Sequence, residues 1–297
     1  MVAFIKKHGA IWGKIALSFV MVMIVMTIGI MIMTIVTLST GASAEEAAAS
    51  IGDSNIVKYL QCILFIAGAY TMYAIFERKK GWTIGLKQQH GLPNLIYGAL
   101  AGIILVTLSA LAIRLFGGVS WESAAWDKEL TLSLVEGFLL FSAVAISEEI
   151  YSRGYIQGLL RFHYGTTAAI IISSLLFALL HGMNQGVFST PIPFINLILA
   201  GVIMALAREL TGGLWWPIGL HLTWNFFQGY IYGFNVSGVV LPHSVLRTAD
   251  NGPAWLSGGT FGIEGSLFSV ILLILGIVGV YFLYRKKAKA PNQHVTL

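Results

Sequence analysis

Residues 15–38 form an apolar run of 24 without a single charge, and this limits what the chain can become. A bilayer core about 30 Å thick takes roughly 20 apolar residues per helix. Inside it the backbone must satisfy its own hydrogen bonds, so such runs are read as helices. Residues 59–76, 95–113, 214–234 and 266–284 are likewise free of charge. Three further candidates are weaker: 130–146 contains Glu136, 166–180 has only 15 residues, and 192–207 starts beside Pro191 and Pro193. Only 10% of the residues are charged and 57% are hydrophobic, whereas soluble domains carry about 25% charged residues. An aromatic share of 12% excludes a disordered chain. The single cysteine, Cys62, rules out an intramolecular disulfide and a cysteine-based metal cluster. The expected fold class is all-α: a polytopic membrane protein of about eight transmembrane helices, forming one membrane domain over residues 1–297. Ala42-Ser43-Ala44 resembles a signal-peptide cleavage site, but the run before it far exceeds the usual h-region of about 7–15 residues. It is read as a retained helix.

The net charge of +5 gains meaning only by position. With the N-terminus inside, 14 of the 18 Lys and Arg residues fall in inner segments, and the outer segments keep Lys58, Arg114, Lys128 and Arg247. Cytoplasmic loops carry the Lys/Arg excess. Both termini are therefore expected in the cytoplasm, with an even number of spans, in the plasma membrane if the cell is prokaryotic. The partner of this basic balance is the lipid bilayer; nothing points to nucleic acid. Residues 39–54 read as a small-residue, acidic outer loop, 235–264 as a long outer loop without a clear element, and 288–297 as a short polar tail. No internal repeat is present.

Ionisable groups within spans cost about 2.5–3.5 kcal/mol each on insertion scales, which makes them functional suspects. Here they fall in three clusters. Glu148-Glu149-Ile150-Tyr151-Ser152-Arg153-Gly154 continues the helix expected from Leu130, Phe177-Ala178-Leu179-Leu180-His181 ends a span, and His221-Leu222-Thr223-Trp224-Asn225 lies inside another. Glu149 and Arg153 are four apart and share a helix face, so they can pair. Glu148 lies about 100° away, free to point elsewhere. His221 and Asn225 are also four apart and project together. Tyr164-Gly165 reads as the turn between two helices. Glu148 lies 17 residues before Gly165 and His181 lies 16 after it, so an antiparallel hairpin puts both about 25 Å from the turn. Asn225 lies 12 residues past Gly213, about 18 Å into its own span. A glutamate, two histidines and an amide at roughly similar depth are equipment for activating water and stabilising an oxyanion. Phe177 reads as packing beside the histidine.

Glu-Glu-x-x-x-Arg-Gly, Phe-x-x-x-His and His-x-x-x-Asn, in that order on successive helices, resemble the CPBP family. This family comprises type II CAAX prenyl endopeptidases and bacterial relatives linked to bacteriocin processing and self-immunity. The resemblance spans residues 130–234, where Gly213-Leu214-Trp215-Trp216-Pro217-Ile218-Gly219-Leu220-His221 also looks typical of the family. It implies an eight-helix intramembrane protease with a catalytic cavity enclosed by the helices. The substrate would be a membrane-associated peptide, prenylated or bacteriocin-like. By motif position, Glu148 would activate the hydrolytic water with help from His181, and His221 and Asn225 would hold the oxyanion. Glu149 and Arg153 would support the first motif.

Two chemistries stay open at this point. The favoured one needs no cofactor; the alternative is zinc held by Glu148, His181 and His221, a set resembling the His₂Glu sites of catalytic zinc. Two non-proteolytic readings stand beside the protease: a scaffold or immunity protein that binds a peptide without cutting it, and a transporter. The transporter is disfavoured because the paired repeats and broken helices common in that class are not seen.

Overall fold

The computed structural model describes residues 2–52 and 54–288. From residue 289 onward, the polar tail expected at 288–297 lies outside the described residues. The helices are α1 (Val2–Ser39), α2 (Ala44–Gly52), α3 (Asn55–Phe76), α4 (Gly91–Leu115), α5 (Lys128–Glu149), α6 (Gln157–Tyr164), α7 (Thr166–Leu180), α8 (Pro191–Thr211), α9 (Trp215–Phe226), α10 (Ala254–Ser257) and α11 (Leu267–Ala288). Two π-helical turns, Ile150–Ile156 and Phe227–Ile231, extend α5 and α9.

Among the described residues, six helical stretches are long and apolar enough to cross a membrane: His8–Ser39, Asn55–Phe76, Gly91–Leu115, Lys128–Tyr164, Pro191–Thr211 and Leu267–Arg285. They correspond to six of the eight expected spans. The other two candidates form shorter helices, α7 of 15 residues and α9 of 12. The prolines at the start of α8 fit its first turn, where a missing N–H costs nothing. Thr190 caps that end by accepting the Ile192 amide, and Gly212 closes the other in the left-handed conformation.

Two loop expectations are corrected. Residues 44–52 form a helix rather than a plain loop, started by a capping box. The Ser43 hydroxyl accepts the Glu46 amide, and the Glu46 carboxylate accepts the Ser43 amide at 2.8 Å. Residues 235–264 are not without elements. Strand β2 (Leu246–Asp250) pairs antiparallel with β1 (Val119–Ser123), Trp121 opposite Thr248, and the Trp121 indole donates to the Thr248 hydroxyl. The described residues are thus helical with one small two-stranded ribbon at one end.

Close packing of α4 on α9 sets the frame around the third motif. Gly98 and Gly102, one turn apart on α4, lie so near α9 that a Cβ at Gly98 would meet the Trp216 carbonyl and one at Gly102 the Thr223 hydroxyl. Small residues at such spacing let helices approach where no hydrophobic drive exists between them in lipid. The Thr223 hydroxyl donates across the contact to the Ala99 carbonyl at 2.9 Å. His221 and Asn225 are thereby fixed on the opposite face of α9.

Candidate active site

The expected hairpin forms. Helix α6 ends at Tyr164, Gly165 turns with a φ of 81°, and α7 runs back to His181 at its C-terminal end. Glu148 and His181 meet across it, with Oε2 3.9 Å from Nε2. Helix α9 brings in His221, whose Nε2 lies 4.0 Å from the same Glu148 oxygen. Asn225 lines the same pocket one turn on, so all four residues of the expected set surround one space of about 260 Å³.

Each histidine is oriented through its other nitrogen. The His181 Nδ1 lies 2.9 Å from the Phe177 carbonyl, an acceptor only, so Nδ1 carries the proton there. The His221 Nδ1 lies 2.9 Å from Glu149 Oε1. That same oxygen accepts from Arg153 Nη1 at 2.9 Å, and both side chains of this ion pair are fully buried. An ionised carboxylate can only accept, so the His221 Nδ1 donates as well. Both rings therefore turn Nε2 toward Glu148. The Arg153 guanidinium lies 4.0 Å above the centre of the Phe177 ring and reaches the Gly201 carbonyl. Phe177 is packing, as expected, and it also seats the arginine that holds Glu149.

The two neighbouring glutamates have different surroundings because they stand about 100° apart around α5, and a π turn follows them. It begins at Ile150, directly after Glu149. Glu148 remains partly open to the pocket, with 17% of its side chain exposed, while Glu149 has none. Such insertions of one wide turn recur at functional sites, and apolar periodicity gives no sign of them.

One contributor has no motif. Glu264, in the Gly-rich segment before α11, also lines the pocket. It accepts from the Gln228 amide at 2.9 Å, the Ser237 backbone at 2.8 Å and the Ser237 hydroxyl at 2.9 Å. Burial pushes its carboxyl above the ordinary value, and the three donors only partly offset this. The sequence signal was faint: one acid within Phe261-Gly262-Ile263-Glu264-Gly265, just ahead of an apolar run.

Two imidazole nitrogens and a carboxylate oxygen are the donor types of a catalytic zinc site. Neighbouring ligands of a tetrahedral zinc stand about 3.3 Å apart, closer than the 3.9 and 4.0 Å found here. Among the described residues no three His, Cys, Asp or Glu are arranged to hold a metal ion. As arranged, Glu148 stands about 0.6 Å farther from each imidazole than ligands of a closed tetrahedral zinc stand from one another. A water about 2.8 Å from each of two partners spans the separation of Glu148 from either imidazole, donating one hydrogen to the carboxylate and one to Nε2.

Residues 130–227 match a family described as Rce1-like, type II CAAX prenyl endopeptidase. This match bears out the resemblance carried by the three motifs, all of which fall inside it. The chain is also 27% identical over 170 residues to an Escherichia coli protein named only as an uncharacterized 24.3 kDa protein, covering 54% of this chain and 76% of that one.

Proposed function

We propose that the protein is an intramembrane endopeptidase that hydrolyses a peptide bond of a membrane-anchored substrate with a water activated by Glu148. The observation that carries this reading is the convergence of Glu148 Oε2 with two imidazole Nε2 atoms at 3.9 and 4.0 Å, the span of one bridging water. The family's type II CAAX prenyl endopeptidase description supports a protease. Eight membrane helices, counting the short α7 and α9, would enclose the site.

In this mechanism Glu148 removes the proton from the water as the oxygen attacks the scissile carbonyl, and later returns it to the leaving amine. His181, fixed through Phe177, holds the water. The oxyanion forms beside His221 and Asn225. Glu149 on Nδ1 balances the charge when His221 carries a second proton, much as a buried carboxylate orients and supports the histidine of a serine protease. The Asn225 amide supplies a second donor. No cofactor is required.

The deciding experiment incubates purified full-length protein in detergent with prenylated and unprenylated membrane peptides. Cleavage is expected, and Glu148→Gln, which keeps the side chain's shape, is expected to fold normally and lose it. Unchanged cleavage by that variant would refute the role of Glu148. A biological effect that survives Glu148→Gln, with no peptide cut, would favour the peptide-binding immunity reading. Activity should survive exhaustive chelation; stoichiometric zinc lost together with activity on His221→Ala would overturn the metal-free mechanism.

A further inference from the structure

The pocket opens at one end of the bundle. Its loop-borne lining, Asn184, Val236, Ser237, Val239, Leu241 and Glu264, comes from segments on the side of α2 and the β ribbon. The helical residues nearest these loops agree. Lys58 and Cys62 lie in the first two turns of α3, Asn196 in the second turn of α8 and Leu273 in the second turn of α11. At 1.5 Å per residue they sit roughly 5–10 Å below their helix starts. The turns at the opposite end, 77–90 and 208–214, contribute no residue to the lining.

Charge separates the two ends. Lys14, Arg78, Lys79, Lys80, Lys87 and Arg161 cluster at the end away from the mouth. The mouth side, its loops and the helix ends beside them, carries four basic residues, Lys58, Arg114, Lys128 and Arg247, against eight acidic ones, Glu45, Glu46, Asp53, Glu122, Asp127, Glu129, Asp250 and Glu264. Lysine and arginine near helix ends are retained in the cytoplasm, which puts the mouth on the far side of the membrane. The same end exposes large apolar side chains: Met183 96%, Val240 70%, Trp126 68% and Phe188 66%. Tryptophan settles at the headgroup level, so Trp126 sets the mouth side at the bilayer interface.

We infer that the site takes its substrate from the extracytoplasmic leaflet: a membrane-anchored peptide with its scissile bond at or just below that surface, and not a peptide tail displayed in the cytoplasm. This rests on the protease reading for the word substrate; the direction of the mouth stands on its own. Peptides in the cytoplasm, prenylated or not, would face the basic end, whose turns take no part in the lining. The apolar lining from Phe65, Leu140, Phe141, Leu180 and Leu241 suits the apolar residues of a segment lowered into the bilayer.

Two measurements on the full-length protein test it. In intact cells, an impermeant maleimide should label Val239→Cys at the rim and Asn251→Cys in the outer segment, whereas Lys80→Cys should label only after permeabilisation. The parent, in which Cys62 is buried, gives the background. Labelling of Lys80→Cys from outside with Val239→Cys and Asn251→Cys silent would overturn the inference and leave the protease reading intact. The second measurement offers a membrane-anchored peptide that is cleaved in detergent to right-side-out and to inverted vesicles. Cleavage is expected in the right-side-out vesicles alone, and lost there with Glu148→Gln. Cleavage confined to inverted vesicles overturns the direction. Absence of Glu148-dependent cleavage in detergent for every peptide tried overturns the protease reading instead, with the labelling pattern still deciding the direction.

Discussion

At the scale of single residues, the first motif divides its work between two adjacent glutamates. Glu149 shares one oxygen between Arg153 and His221, both at 2.9 Å, with the ion pair fully buried. Removing one partner of such a pair strands the other in a low dielectric at a cost of about 3–5 kcal/mol. Arg153→Ala is therefore expected to lose stability as well as activity, read as a lower unfolding midpoint in detergent; a midpoint equal to the parent's would contradict the structural role. Asn225 makes a separate case. It sits in the pocket, and losing one oxyanion donor costs about 10²–10³ in turnover. Asn225→Ala should thus lower kcat with KM and thermal stability little changed, and a rise in KM alone would move Asn225 from the oxyanion to substrate binding. These residues could be read from sequence because each is an ionisable or amide group placed where hydrophobic periodicity demands an apolar one. Glu264 could not be read in this way. It stands in a glycine-rich loop where a carboxylate is unremarkable, and only the folded path of residues 228–264 encloses it beside Ser237 and Gln228.

Among the elements, the sequence showed the long apolar helices and the Gly165 turn plainly, since length and charge-free runs determine both. It did not show the π turn after Glu149, because one extra residue in one turn leaves the apolar pattern nearly unchanged. It did not show the β ribbon either, since Leu246–Asp250 becomes a strand by pairing with a segment far away in the chain. The capping box at Ser43 and Glu46 is legible in the sequence, although the small-residue stretch around it reads as loop. How tightly α4 packs on α9 was likewise hidden, although Gly98 and Gly102 stand in the sequence with the required spacing. That contact gives a prediction. A Cβ at Gly98 would lie 2.0 Å from the Trp216 carbonyl, a backbone atom with no rotamer to yield. Gly98→Ala must push α9 outward, at the roughly 1–3 kcal/mol typical of overpacking, carrying His221 and Asn225 away from Glu148. Peptidase activity and melting temperature should fall together. Gly279→Ala on α11, where a Cβ meets nothing within 4 Å, should change neither.

Across the whole molecule, α1 lies outside the segment that matches the family and touches the core along one side, through residues such as Ile11, Ile15 and Val22. Two polar ties add to that contact. The Ser18 hydroxyl lies 2.9 Å from the Tyr151 hydroxyl, within the π turn that follows Glu148 and Glu149. Lys14 pairs with Glu77, just beyond α3, at 2.6 Å, and Lys80 joins the same carboxylate at 3.0 Å. Burial would push the Glu77 carboxyl up, but donors from Lys14, Lys80 and Trp82 outweigh it and hold it below the ordinary value of 4.5. A carboxylate depressed in the folded state adds stability that is fully present above its unfolded pKa and is lost as the pH falls through the lower folded one. The docking of α1 on α3 should therefore hold from neutral pH to about 4.5 and loosen below it, by the modest amount expected of a pair whose lysines are part-exposed. The expected observation is an acid-side decline in the melting temperature that flattens in Glu77→Gln, together with a lower plateau near neutrality for that variant. Identical acid profiles for parent and variant would show that Glu77 does not tie α1 to the bundle.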